Sequence, residues 1–233
     1  MKKSIGILGG MGPLATADLF RKIVTMTKAA CDNDHIRVYI DSNASIPDRT
    51  AAILSGGADP VAAMTDSLRK LEACGADCII MPCNTAHYFL PRLQELTDTP
   101  ILSMLDATAA ACAKRFPGKT AAILATKGTL ATGLYETALI RHHVPYLAPN
   151  AKEQDALMRV IYDGVKASAL PEVYRKDMRS VLRTMTNRGA DYFILGCTEL
   201  PVAAEALKLT HPMVDPTTEL AAAAIRFCGY ECQ

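Results

Sequence analysis

Two of the chain's eight cysteines share one sequence context. Gly75-Ala76-Asp77, four apolar or cysteine positions and one further residue lead to Cys83. Gly189-Ala190-Asp191, four apolar positions and one further residue lead to Cys197, at the same displacement of 114 residues (75 to 189, 83 to 197). A thiol of pKa about 8.5, lowered at a helix N-terminus, serves near neutral pH as a base when ionised and as an acid when protonated. Two such groups on opposite faces of one carbon would invert it: one removes a proton, the other delivers one. The competing interpretation is packing, because cysteine is among the most buried residue types. Equivalent placement in a repeat argues against packing alone for these two.

The residues that follow are polar: Asn84-Thr85 after the first cysteine, Thr198-Glu199 after the second. Hydroxyls, amides and free backbone N–H groups at a helix start can hold a carboxylate, and equally can cap the helix. His87 and Glu199 could tune the thiols or shuttle protons; a surface or helix-capping role fits each equally well. Arg49 lies in Ser45-Ile46-Pro47-Asp48-Arg49-Thr50, expected to be a loop, and could clamp a carboxylate with two parallel hydrogen bonds. Nothing in the spacing of Gly164-Val165-Lys166 singles out Lys166.

Two rival motifs fit less well. Gly10-Met11-Gly12-Pro13-Leu14-Ala15 matches the glycine pattern of dinucleotide sites, with Asp41 in the place of the ribose-binding acid. Its separation of 31 residues from Gly10 exceeds the usual ~20, the second half lacks the first glycine, and the paired cysteines go unexplained. Cys74, Cys78 and Cys83, or Cys228 and Cys232, lack the close cysteine spacing of a zinc site, so no metal is expected.

The elements that must position these residues are legible from patterning. Ile5 to Gly9 and Cys78 to Met81 are short apolar runs that read as buried strands, and Arg37 to Ile40 reads as a strand between them that ends at Asp41 and Ser42. Between them lie two helices. One carries Leu19, Ile23 and Met26 on one face; the other starts at Asp59-Pro60, buries Val61, Met64, Leu68 and Leu71, and closes at Gly75. The second half starts again: a strand at Thr120 to Ala125, a helix from Leu130 to Arg141, a helix with Met178, Val181, Leu182 and Met185 at i, i+3, i+4, i+7, and a strand at Tyr192 to Leu195. Met213-Val214 reads as one more strand before an alanine-rich helix ending near Phe227. Ile7-Leu8 and Gly12-x-Leu14-Ala15-Thr16 recur as Ile123-Leu124 and Gly128-x-Leu130-Ala131-Thr132, displaced by 116 residues (12 to 128). The expectation is an α/β fold of two pseudosymmetric lobes, each a parallel sheet flanked by helices, with the active site in the cleft between them. Residues 1–98 with 211–233 would form the first lobe and 99–210 the second.

Composition narrows the function. The 233 residues carry 25 basic and 24 acidic side chains, a net charge of +1, which is no footprint for nucleic acid or an anionic membrane. No stretch approaches the ~20 apolar residues of a membrane span. The apolar run after Lys2-Lys3 is broken by glycines, unlike a signal peptide. A cytoplasmic protein with reduced thiols is expected, its cysteines being no secreted disulfide framework.

Gly6-Ile7-Leu8-Gly9-Gly10-Met11-Gly12-Pro13, Ile46-Pro47-Asp48-Arg49-Thr50, Pro82-Cys83-Asn84-Thr85-Ala86-His87 and Gly196-Cys197-Thr198-Glu199-Leu200 together resemble the aspartate/glutamate racemase superfamily. The glycine-rich start and the Cys-Thr-Glu motif resemble its aspartate and broad-specificity amino-acid racemase branch. Glutamate racemases of cell-wall synthesis usually carry Asp-Ser-Gly and Cys-Thr-His instead. The resemblance implies a racemase that works without pyridoxal phosphate or metal, often as a homodimer, on a small amino-acid substrate, aspartate first and glutamate next. It implies that Cys83 and Cys197 are the acid/base pair. Arg49 and Lys166 would recognise the side-chain carboxylate, and Met11, Asn84, Thr85 and Thr198 would hold the rest of the substrate. An isomerase or decarboxylase of another dicarboxylic acid, or a non-catalytic protein that binds an acidic metabolite, are the alternatives.

Overall fold

A computed structural model describes residues 2–233. The elements run β1 (Ile5–Gly9), α1 (Pro13–Met26), β2 (Val38–Ser42), α2 (Arg49–Leu54), α3 (Val61–Ala73), β3 (Cys78–Ile80), α4 (Leu90–Gln94) and α5 (Met104–Arg115). They continue with β4 (Ala121–Ala125), α6 (Lys127–Ala131), α7 (Leu134–Arg141), β5 (Tyr146–Leu147), α8 (Ala151–Met158) and α9 (Pro171–Asn187). β6 (Tyr192–Gly196), α10 (Leu200–Ala206), β7 (Met213–Val214) and α11 (Pro216–Phe227) complete the chain. A 3₁₀ turn, Thr85–Phe89, follows Cys83, and a π-helical segment, Arg159–Lys166, follows α8. The chain divides into two compact units, 1–107 with 217–233 and 108–216.

In the first unit the strands pair in parallel in the order β2-β1-β3, and an isolated parallel bridge adds Ile101 beside Ile79; a separate antiparallel bridge joins Thr27 to Cys232. Alternation along the strands splits the core in two, as the two-residue period of a strand requires. Ile5, Ile7, Cys78 and Ile80 face α1 and α11 through Leu19, Ile23, Leu220 and Ile225. Leu8, Ile79 and Met81 face α3 through Met64, Leu68 and Leu71. Sheets buried on both faces need no polar alternation, which is why these strands are continuous apolar runs.

The second unit repeats the plan in the order β5-β4-β6-β7, again all parallel. The register repeats with it. Ile5 pairs with Cys78, and Ala121 with Tyr192; Ile7 pairs with Ile80, and Ile123 with Ile194. Even the polar fasteners match. Asp77 accepts the Ser4 N–H at 2.7 Å, and Asp191 accepts the Thr120 N–H at 2.8 Å. Gly75 and Gly189 both hold left-handed φ, +87° and +101°, and close α3 and α9. The next residues, Ala76 and Ala190, donate back to Leu71 and Met185, each at 3.1 Å, the six-to-one bond of a helix C-cap.

Two expected elements differ. The helix from Leu130 to Arg141 is interrupted at Gly133, whose φ of +63° turns the chain between α6 and α7. The segment expected to be a loop at Ser45 to Thr50 becomes helical at Arg49. The Asp48 side chain accepts the Ala51 N–H at 2.7 Å and caps α2. Among the described residues no helix is long and apolar enough to cross a membrane.

Candidate active site

Each unit brings one cysteine just past the carboxyl end of a parallel strand, β3 or β6, where parallel α/β sheets bind ligands. Period two carries the side chains there. Ile79, Met81 and Cys83 continue one face, as do Phe193, Leu195 and Cys197, and each series belongs to the core packed by the helix before its strand. Both cysteines are buried, at 7% and 8% exposure.

In the first unit, Met11, Ile46 and Cys83 share one core cluster. α2 packs against the 3₁₀ turn, which brings Arg49 toward the segment after Cys83. The Arg49 guanidinium donates to the carbonyls of Ile46 (3.2 Å), Pro47 (3.0 Å) and Met11 (3.3 Å). Its Nε is buried with no acceptor among the described residues, the kind of orphan donor that a bound carboxylate satisfies. Asn84 and Thr85 are buried at the start of the 3₁₀ turn.

His87 is occupied by the backbone. Its Nδ1 pairs with the Cys83 carbonyl at 2.9 Å, and its Nε2 accepts the Met104 N–H at 2.9 Å. Accepting at Nε2 places the proton on Nδ1. Burial holds the imidazole below its ordinary range, against opposing hydrogen bonds to Cys83 and Leu102. His87 therefore braces the Cys83 loop as a neutral ring.

The second unit gathers Lys166, Cys197, Thr198 and Glu199. Glu199 Oε2 accepts from the Cys197 thiol at 2.9 Å and from the Thr198 hydroxyl at 3.2 Å. Lys166 Nζ stands 4.0 Å from Glu199 Oε1 and 4.4 Å from the centroid of the Tyr162 ring. A helix N-terminus would lower a thiol's pKa; Cys197 goes the other way. Burial, then the Glu199 carboxylate, push it well above the ordinary thiol range, while a backbone bond from Glu199 and the Lys166 charge oppose more weakly. Cys197 rests as a thiol.

Lys166 ends the π-helical segment, a rare conformation that often marks functional sites. Gly164 permits it, since a Cβ there would lie 2.6 Å from Tyr174 Cδ1. Arg49 and Lys166 also hold equivalent topological places: each follows the strand at one edge of its sheet and precedes the helix that covers the cysteine face. Tyr135, unremarked in the sequence, is fully buried against Gly196, where a Cβ would meet its Cε2 at 3.1 Å, and so supports the strand end before Cys197.

The glycine-rich turn after β1 serves packing. A Cβ on Gly10, at φ +87°, would lie 2.2 Å from the Asn43 backbone, and the Gly10 N–H is already taken by the Thr16 hydroxyl at 2.9 Å. Close approach to Asn43, not to a pyrophosphate, explains that glycine. Cys78 lies 3.9 Å from Cys228 in the core.

A family model described as Asp/Glu/Hydantoin racemase matches residues 8–224. The chain belongs to this racemase family. It is therefore an isomerase of a cofactor-independent group, acting on a small-molecule substrate. The aspartate racemase of Picrophilus torridus is 31% identical, with a TM-score of 0.84 over 99% of this chain and 96% of that one. The broad-specificity amino-acid racemase of Bacillus subtilis (strain 168) is 25% identical over 95% of this chain and 96% of the relative. The glutamate racemase of Francisella tularensis, solved with D-glutamate, has the same fold at 19% identity, with a TM-score of 0.66 over 97% of this racemase and 81% of that chain.

Proposed function

We propose that this racemase interconverts the enantiomers of an acidic amino acid, aspartate first and glutamate next, with Cys83 and Cys197 as the acid/base pair at the α-carbon. The observation that carries this reading is the duplicated placement of the two thiols. The two units carry Cys83 and Cys197 at the same register position, the same number of residues (78 to 83, 192 to 197) after the paired positions Cys78 and Tyr192. The likeness to an aspartate racemase over nearly the whole chain supports the substrate choice.

In one direction Cys197 acts as the acid: its thiol delivers a proton to the α-carbon as Cys83, ionised, removes one from the opposite face. In the other direction Cys197 must first ionise. Glu199 takes the thiol proton along the existing hydrogen bond, the thiolate removes the α-proton, and Cys83 supplies the proton that completes inversion. Arg49 and Lys166 bind the side-chain carboxylate, and Met11, Asn84, Thr85 and Thr198 hold the amino-acid backbone groups. An α-proton is far less acidic than a thiol, so oriented donors in a dry site must stabilise the carbanion-like transition state. We further propose that the enzyme works in the cytoplasm as a homodimer.

The test is incubation of the purified protein with L-aspartate, and separately L-glutamate, in D2O without added cofactor. Loss of the α-proton signal with appearance of the D-isomer on a chiral column supports the reading and ranks the substrates. Absence of exchange with either would overturn it, in favour of a different carbon acid or of binding without chemistry.

A further inference from the structure

The exposed face of α9, which carries none of the candidate-site residues, concentrates positive charge. Arg175, Lys176, Arg179 and Arg183 border a shallow, open hollow on the outer face of that one helix. Arg179 and Arg183 also border an adjoining open hollow, together with Lys208 and His211 from the α10–β7 connection. Of the side chains lining the two hollows, Glu172 alone is acidic, and it is already engaged by Arg175 at 3.0 Å.

Several surface cations elsewhere have a carboxylate partner. Lys22 and Arg21 share Asp18, Lys70 takes Asp66, Arg92 takes Asp59, and Arg159 takes Asp177 on the neighbouring flank of α9 itself. Among the described residues, Lys176, Arg179, Arg183 and Lys208 have no carboxylate within ion-pair distance. Arg175, Arg179 and Arg183 follow at four-residue spacing, so like charges stack on one helix face, an arrangement that opposes helix formation unless an anion offsets it. Lys208 adds a second anomaly: it takes left-handed φ (+50°) at the end of α10, a position where glycine is unstrained.

We propose that this groove of the second unit binds a small molecule carrying two or more linked phosphates. Guanidinium groups pair with phosphate oxygens through two parallel hydrogen bonds. The arginine stripe runs about 12 Å along the helix axis, taking a 1.5 Å rise per residue from Arg175 to Arg183, longer than one phosphate spans. Lys208 closes the groove from the facing connection, and Leu209 beside it offers a small apolar contact for whatever the phosphates are attached to. This site is separate from the proposed racemase chemistry and does not rest on it.

Inorganic tripolyphosphate and orthophosphate are the probes, titrated calorimetrically into the intact protein at low and at physiological salt. The expected result is saturable one-to-one binding of tripolyphosphate that weakens with salt, with orthophosphate at least tenfold weaker. Arg179→Ala/Arg183→Ala should weaken tripolyphosphate at least tenfold while the melting temperature does not fall and proton exchange on aspartate stays as in the parent. Lys28→Ala/Lys70→Ala removes the same charge from the other unit and should leave binding unchanged. Absence of saturable binding, equal binding by the arginine variant, or an equal loss in the lysine control would overturn the proposal.

Discussion

Glu199 accepts a hydrogen bond from the Cys197 thiol at 2.9 Å, so the carboxylate that raises this thiol's pKa is also the nearest acceptor for its proton. The two effects separate on substitution. In Glu199→Gln the charge that disfavours the thiolate is gone, so the pH midpoint for alkylation of Cys197 should move down. Racemisation should nonetheless slow in the direction that needs Cys197 as base, because an amide cannot take the proton. An unchanged alkylation midpoint would show that burial alone sets the thiol.

His87 makes a prediction about stability and pH. Its folded-state pKa is depressed by burial, so the unfolded chain takes up a proton that the folded chain refuses. Its contribution is therefore full above the unfolded imidazole value of about 6.5 and is lost as pH falls below it. His87→Leu should cost about 1–3 kcal/mol at pH 7.5, from the Met104 and Cys83 groups left unpaired. The gap in urea midpoint between the two proteins should narrow toward pH 5. A constant gap across that range would contradict the neutral-brace role.

Arg49 holds three carbonyls with its terminal nitrogens and leaves Nε open. Lysine keeps the charge but not the fork. Arg49→Lys should raise KM for aspartate about 10- to 100-fold, the worth of one charge-assisted hydrogen bond. kcat should fall less. A loss confined to kcat would move Arg49 out of substrate recognition.

Gly164→Ala tests the π-helical segment. The new methyl would meet the Tyr174 ring, so the segment must shift and carry Lys166 with it. KM for the acidic substrate should rise, while reactivity of Cys83, in the other unit, stays as in the parent. Parental KM would show that the placement of Lys166 does not matter.

Much of this was legible in the sequence because the repeat constrains both halves at once. The run Cys78 to Met81 could have been a buried helix segment, but Gly75-Ala76-Asp77 before it and Tyr192 to Leu195 in its copy fix it as a strand. The chemistry of Asp77 and Asp191, accepting a backbone N–H from the neighbouring strand, explains why the acid is in the motif at all. Other features are invisible at this level. A two-residue strand such as β5 has no period to detect. The break at Gly133 depends on a left-handed turn that one glycine permits but does not demand. The Asp48 cap had a sequence signal, an acidic residue before a short helix-forming run, and α2 follows from it. The raised Cys197 thiol depends on where Glu199 points, which spacing cannot state. Lys166 owes its place to a π-helical segment that no hydrophobic pattern announces.

The most direct test of the two-thiol account is early-time racemisation of L-aspartate in D2O by the parent, Cys83→Ser and Cys197→Ser proteins. The account predicts that the parent's D-aspartate carries deuterium from the first turnover while the remaining L-aspartate stays protonated, and that each variant loses most racemisation with its fold intact. Near-parental racemisation by both variants, or retention of the original proton in the product, would contradict it.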